Sequence, residues 1–124
     1  MDLSAWAPRL LSVLRIVAGL LFLEHGLSKL LQFPIPAPAA LTTTIIAAGV
    51  IELVGGALVT LGLFTRLAAF IMSGEMAVAY FIAHAPQSFY PLVNRGESAI
   101  LFCFIFLYIA AAGPGPWSID AKRR

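Results

Sequence analysis

Four long apolar stretches alternate with short polar or proline-rich connections along the chain. They cover residues 10–31, 41–63, 67–83 and 97–112. About 20 apolar residues in an α-helix are enough to cross a bilayer, and the first two stretches reach that length while the other two come close to it. The pattern predicts an all-α membrane protein, an antiparallel four-helix transmembrane bundle that forms a single domain over residues 1–124.

Composition supports membrane insertion. Hydrophobic residues make up 60% of the chain and charged residues only 11%, whereas a soluble domain has about 25% charged residues. A soluble globular fold and a nucleic-acid-binding role are therefore disfavoured, and the lipid bilayer is the first expected partner. The single cysteine, Cys103, excludes a disulfide within the chain, and its apolar neighbours favour a packing role.

The distribution of basic residues predicts the orientation of the bundle. Four spans leave both termini on one side of the membrane, together with Arg9, Arg66 and the basic tail 122–124. The opposite side has Lys29 and Arg95. Because basic residues favour the cytoplasmic side, we expect both termini to be cytoplasmic. The connection over 32–40 is rich in proline and cannot continue a helix.

Ionisable side chains interrupt the apolar stretches, although each one near mid-bilayer costs roughly 2.5–3.5 kcal/mol. The first stretch carries Arg15, Glu24, His25 and Lys29, and the next two carry Glu52 and Glu75. Such groups are tolerated when they face protein or water, so we expect them to meet around a polar cavity that opens outward. A structural network of ion pairs that locks the helices together explains the same residues equally well.

These residues define a candidate site. Carboxyl and imidazole groups can handle protons, which makes Glu24, His25, Glu52 and Glu75 the candidate catalytic residues. The candidate ligand-binding residues, within the cavity and at its rim, are Arg15, Lys29, His84, Asn94, Arg95 and Glu97. No metal site is predicted, because His-x-x-x-His and Glu-x-x-His spacings do not occur.

Glycines share helix faces with the charged residues. Steps of four and three residues place Arg15, Gly19, Phe22, Gly26 and Lys29 on one face of the first helix, and Gly49, Glu52 and Gly56 on one face of the second. Small residues let transmembrane helices approach closely. We therefore expect these glycines to bring Glu52 against a neighbouring helix, with the first helix as the candidate.

Several of these motifs together resemble the DoxX family. The likeness includes Arg15, Gly19, Phe22, His25-Gly26 and Lys29, then Gly49-x-x-Glu52-x-x-Gly55-Gly56 and the run from Leu61 to Ala69 (LGLFTRLAA). It continues with Asn94-Arg95-Gly96-Glu97, in which Arg95 stands where the family usually has glycine, and with the closing stretch from Gly113 to Asp120 (GPGPWSID).

The resemblance implies a small four-helix protein of the bacterial plasma (inner) membrane. Its relatives are linked to thiosulfate:quinone oxidoreductase as a membrane subunit, and to membrane-associated redox complexes in mycobacteria. We therefore expect a membrane subunit of a redox system that binds a quinone or a similar small molecule. The chain carries no Cys pair, haem motif or nucleotide loop, so electrons would come from a redox partner protein or a bound organic cofactor.

Two other functions stay open at this point. The chain could be a non-catalytic anchor or assembly subunit, whose charges pair inside the bundle and whose outer loops hold a partner complex. It could also be a small-solute carrier, which four helices would form only as a homo-oligomer. Whether the chain takes part in turnover as an oxidoreductase subunit is left open by its residues.

Overall fold

The computed structural model describes residues 2–36 and 41–123. This part of the chain consists of helices and short connections, without a strand. The α-helices are α1 (Ala7–Leu31), α2 (Thr43–Leu61), α3 (Thr65–Ala79), α4 (Pro91–Asn94), α5 (Glu97–Ala112) and α6 (Ile119–Lys122). Residues 37–40 of the predicted proline-rich connection lie outside the described residues, as do the first and last residues of the chain.

Helix lengths agree with the predicted membrane spans. Within the described residues, three helical segments are long and apolar enough to cross a bilayer, namely Ser4–Leu31, Thr43–Leu61 and Thr65–Gln87. The third segment extends α3 by further helical turns. The fourth predicted stretch forms α5, which has 16 residues. The all-α membrane bundle predicted from the sequence is confirmed.

Glycines bring α1 and α2 into close contact, as their spacing predicts. A Cβ atom added at Gly26 would lie 2.5 Å from the backbone nitrogen of Leu53, and one added at Gly56 would lie 2.6 Å from that of Leu23. Such distances leave no room for a side chain. Van der Waals contact between the two backbones therefore holds these helices together without help from water.

A second helix pair is formed by α3 and α5, and contacts between α2 and α3 join it to the first. Met72 of α3 and Phe106 and Ile109 of α5 are fully buried in the core. The Ser73 hydroxyl donates a hydrogen bond of 2.7 Å to the carbonyl of Cys103. Cys103 is half-buried beside this contact, in keeping with the packing role expected for it.

The end of the bundle that carries both termini, called the terminal end below, is closed by residues 113–120, called the C-terminal latch. Arg15 of α1 is 1% exposed. Its guanidinium donates to the carbonyl of Pro114 and, at 2.7 Å, to that of Trp117. The Ser12 hydroxyl accepts a hydrogen bond from the Trp117 backbone N–H at 3.1 Å. Backbone carbonyls of the latch thus accept from two of the three guanidinium nitrogens of Arg15, while its buried Nε has no partner among the described residues.

Asp120 fastens the other side of the C-terminal latch to the turn between α2 and α3. Its carboxylate accepts the backbone N–H groups of Phe64 at 3.0 Å and Thr65 at 2.9 Å. Partial burial alone raises the pKa of the Asp120 carboxyl, but these hydrogen bonds and the positive charge of Arg123 outweigh that effect. The pKa of Asp120 therefore lies below its ordinary value of 3.8.

Replacing Arg15→Met should destabilise the protein by about 2–4 kcal/mol, because two latch carbonyls lose their charged donor inside the bundle. Denaturant unfolding of the purified protein in detergent micelles measures this loss. Arg9→Met is the matched control, since Arg9 is exposed and its guanidinium lies over the Trp6 ring. Equal stability of the two variants would contradict the structural role of Arg15.

Stability should depend on pH through Asp120. A carboxyl whose pKa is lower in the folded than in the unfolded chain stabilises the fold above the unfolded pKa, and this contribution disappears as the pH falls through the folded pKa. Thermal midpoints measured from about pH 6 down to about pH 3 should therefore fall for the wild type. Asp120→Asn should be less stable near neutral pH, and its thermal midpoint should depend less on pH below pH 4. If the thermal midpoint of Asp120→Asn depended on pH as strongly as that of the wild type, Asp120 would not be the source of the pH dependence.

Candidate functional site

A cavity of about 660 Å³ lies between α1, α2, α3 and α5, in the half of the bundle away from the C-terminal latch. This half is called the loop end below. The walls are mainly apolar and include Phe22, Ile51, Met76 and Phe102. Its volume falls within the range of about 300–1,000 Å³ typical of small-molecule sites. Polar groups reach the cavity at only a few points, which makes those points candidates for ligand recognition.

The central polar feature is an ion pair between α1 and α2. The Lys29 ammonium donates to Oε1 of Glu52 at 2.6 Å. The Glu52 side chain is 2% exposed and that of Lys29 is 23% exposed. Gly49 makes room for this part of α1, because a Cβ atom there would lie 2.9 Å from the side chain of Leu30 and 3.1 Å from Cβ of Lys29. Both charged groups line the cavity.

Glu75 reaches the same cavity from α3. Both of its carboxyl oxygens are buried and receive no hydrogen bond from an N–H or hydroxyl group of the described residues, and the polar group within hydrogen-bond reach is the Glu52 carboxyl. Its charged neighbours are Glu52 and Lys29, so the three side chains form one cluster across three helices. A buried carboxyl without a donor is unfavourable. A ligand, a water molecule or a proton shared with Glu52 would satisfy it.

Two histidines border the cavity. His25 donates through Nδ1 to the carbonyl of Leu21 at 2.8 Å. His84 donates through Nδ1 to the carbonyl of Asn94 at 2.9 Å and stacks on Tyr80. Both rings are therefore held in one tautomer by backbone carbonyls, and both line the cavity.

Asn94 organises the loop before α5 and does not line the cavity. It is fully buried and donates to the carbonyl of Ser88 at 2.9 Å and to the Tyr80 hydroxyl at 3.1 Å. Its Oδ1 accepts the backbone N–H of Gly96 at 2.8 Å. Asn94 acts on the site indirectly, because it positions His84 and Tyr80.

The structure thus brings together half of the predicted site. His25, Lys29, Glu52, Glu75 and His84 line the cavity. Arg15 lies at the terminal end and is occupied by the C-terminal latch. Glu24, Arg95 and Glu97 are exposed and do not line the cavity.

Helix geometry explains these differences. Glu24 precedes His25 by one residue and is rotated about 100° around α1, away from the cavity. Arg95 has a left-handed φ of 63°, the conformation that glycine adopts freely. Glu97 is in the first turn of α5, where the helix dipole stabilises a carboxylate.

Sequence reasoning missed several residues that line the cavity. They are Ser28, Ser98 and Gly74, beside apolar wall residues such as Phe102. Ser28 and Ser98 lie one residue before Lys29 and one residue after Glu97, so closeness to a charged residue was a usable signal. Within residues 2–36 and 41–123, no group of three or more His, Cys, Asp and Glu side chains is arranged to hold a metal ion.

A smaller cavity of about 450 Å³ lies at the terminal end, lined by Pro8, Tyr108 and Pro114 among others. Arg66 also borders it, but its guanidinium donates to the carbonyls of Ala110 and Ala111. None of the residues predicted to bind a ligand lies there. The larger cavity is therefore the candidate functional site.

Comparison with known proteins gives the chain a clear set of relatives. The DoxX sequence profile matches residues 10–85. An uncharacterized protein of Haemophilus influenzae is 44% identical over an alignment 128 residues long, which covers 98% of this chain and 96% of the relative. An uncharacterized membrane protein of Mycobacterium tuberculosis is 28% identical over an alignment 138 residues long, which covers 97% of this chain and 85% of the relative. No solved structure is significantly similar to the chain.

The replacement Lys29→Met should cost roughly 3 kcal/mol of stability, because it leaves the buried Glu52 carboxylate without its cation. The double variant Lys29→Met/Glu52→Gln should recover most of that loss. Unfolding in mixed detergent micelles measures both, with the exposed Lys122→Met as control. If the single and double variants were equally unstable, the ion pair would not be the source of the effect.

Proposed function

The chain belongs to the DoxX family of membrane proteins, and from that premise we propose that it binds a quinone or a similar lipophilic molecule in the loop-end cavity. In this proposal it is the membrane subunit of a redox system, and electrons reach the ligand from a partner protein. One observation carries the proposal. Among the described residues, no N–H or hydroxyl group donates to the two buried carboxyl oxygens of Glu75, which lie beside the Lys29–Glu52 ion pair at the wall of a large apolar cavity.

The chemistry of the wall suits a quinone. A bound quinone supplies two carbonyl oxygens, which take up protons when the ring is reduced. The Lys29 ammonium can donate a hydrogen bond to such an oxygen, and the Glu75 carboxyl can deliver or accept a proton. Phe102, a half-buried residue of the cavity wall, offers an aromatic side chain to the ring.

The side of the membrane on which the cavity opens follows from the basic residues. Arg9, Arg66, Lys122 and Arg123 belong to the terminal end, whereas Lys29 and Arg95 belong to the loop end. By the positive-inside rule, both termini would be cytoplasmic in a bacterial plasma membrane. The cavity would then occupy the outer half of the bilayer, where protons can exchange with the external side.

An anchoring or assembly role without turnover is the second candidate. It is favoured by the connection before α5, where Phe89 is 86% exposed and Leu92 is 80% exposed. Apolar side chains exposed in this way can contact a partner or the membrane interface. Under this alternative the ionisable cluster only stabilises the bundle, and replacing any of its members should weaken the fold.

The variant Glu75→Leu separates the two functions. It removes a buried carboxyl to which no N–H or hydroxyl group within residues 2–36 and 41–123 donates, so the unfolding midpoint should stay the same or rise. Binding of a benzoquinone with a decyl chain, measured by isothermal titration calorimetry in nanodiscs, should weaken at least tenfold, about 1.4 kcal/mol. The wild-type protein should also carry a quinone in its lipid extract.

The matched control is Glu24→Leu, which removes a carboxyl from the exposed face of α1 and should bind like the wild type. A lower unfolding midpoint for Glu75→Leu together with unchanged binding would favour the structural role. Absence of binding heat in the wild type would refute the proposed function.

A further inference from the structure

Gly74 in the interior of α3 differs from the other glycines of the chain. At each of the others, an added Cβ atom would approach another atom to less than 3.0 Å. At Gly74 it would meet nothing within 4 Å. The backbone there is ordinary helix without a positive φ. Neither close packing nor backbone conformation requires glycine at this position, although glycine weakens a helix relative to alanine.

The empty space at Gly74 belongs to the loop-end cavity. Gly74 lines the cavity directly beside Glu75 and is exposed on the surface of the bundle. Ile71 and Val78 lie one turn before and one turn after it, on the same helix face. They also line the cavity, while 47% and 57% of their respective surfaces are exposed. The same side chains therefore face both the cavity and the surrounding membrane.

The opposite edge of this gap is formed by α2. Thr44, Ala47 and Ala48 line the cavity there, and the first two are exposed on the bundle surface. All these edge residues are small or apolar and uncharged. The cavity thus opens sideways between α2 and α3, with a polar cluster inside and apolar edges outside.

We propose that the gap between α2 and α3 is a lateral portal through which a lipophilic ligand enters from the bilayer, and that Gly74 keeps it open. The inference rests on the proposed function and names its ligand class: a molecule dissolved in the membrane, with a polar head and an apolar tail. The head reaches Glu75 and Glu52, and the tail lies between the two helices. Water-soluble molecules do not use this route.

The edges of the gap favour a small ligand over a helix from a second copy. Close helix packing in membranes uses small residues four positions apart. The positions four residues from Gly74 on either side are Phe70 and Val78, which are bulky and exposed. A partner helix would therefore be held away from Gly74, whereas a flexible tail can pass between the side chains.

The variant Gly74→Trp tests the portal. In nanodiscs, the association rate of the decyl-substituted benzoquinone should fall at least tenfold, while the unfolding midpoint stays close to that of the wild type. Gly74→Leu should give a smaller decrease and Gly74→Ala a smaller one still, with a raised unfolding midpoint for the alanine variant. Val54→Trp places the same indole on an exposed position of α2 that does not line the cavity, and should behave like the wild type.

Each contrary result has a distinct meaning. Normal association in Gly74→Trp and Gly74→Leu, with binding intact in the wild type, would overturn the portal and leave the proposed function standing. Absence of binding in the wild type would refute the proposed function and the portal with it. Conversion of a dimer to a monomer by Gly74→Trp, with binding unchanged, would show that a second copy covers the gap.

Discussion

The ion pair between Lys29 and Glu52 is the constraint on which the arrangement of the loop end depends. A lysine and a glutamate inside a bilayer are each costly alone, and they are tolerated when they meet. The pair joins side chains of α1 and α2 at 2.6 Å, and the glycines at positions 26, 49 and 56 let the backbones of the two helices approach closely. The contact between the first two helices and the polarity of the cavity wall therefore depend on neighbouring residues of the same helix faces.

The two ends of the bundle use buried charge in opposite ways. At the terminal end, the Arg15 guanidinium donates to carbonyls of the C-terminal latch, and Asp120 accepts backbone N–H groups from the turn after α2. At the loop end, Glu75 is buried without a donor among the described residues. Buried polar groups with hydrogen-bond partners stabilise a fold. A buried polar group without a partner beside a cavity marks a place where a ligand can supply the missing hydrogen bond.

Much of the fold could be predicted from the sequence, because span length, charge spacing and glycine spacing are local properties. The spans and the contact of Glu52 with the first helix follow from them. The C-terminal latch could not, because Arg15 and Pro114 are 99 residues apart and nothing local links them. The candidate site was predicted in part. Helical periodicity shows which residues share a helix face, but not which neighbouring helix that face contacts. Glu24 was therefore grouped with Glu75, although only Glu75 lines the cavity. The role of Gly74 depends on empty space, which leaves no trace in the sequence.

The central claim is that the ion-pair cluster forms the polar end of a binding cavity for a lipophilic molecule. Photolabelling with an aryl-azide derivative of the decyl-substituted benzoquinone in nanodiscs, followed by peptide mass spectrometry, tests it most directly. The account predicts labels concentrated on α2 and α3 where they line the cavity, for example at Ile51 and Val78. Labels confined to the terminal end near Tyr108, or spread evenly over the membrane-facing surface, would contradict it.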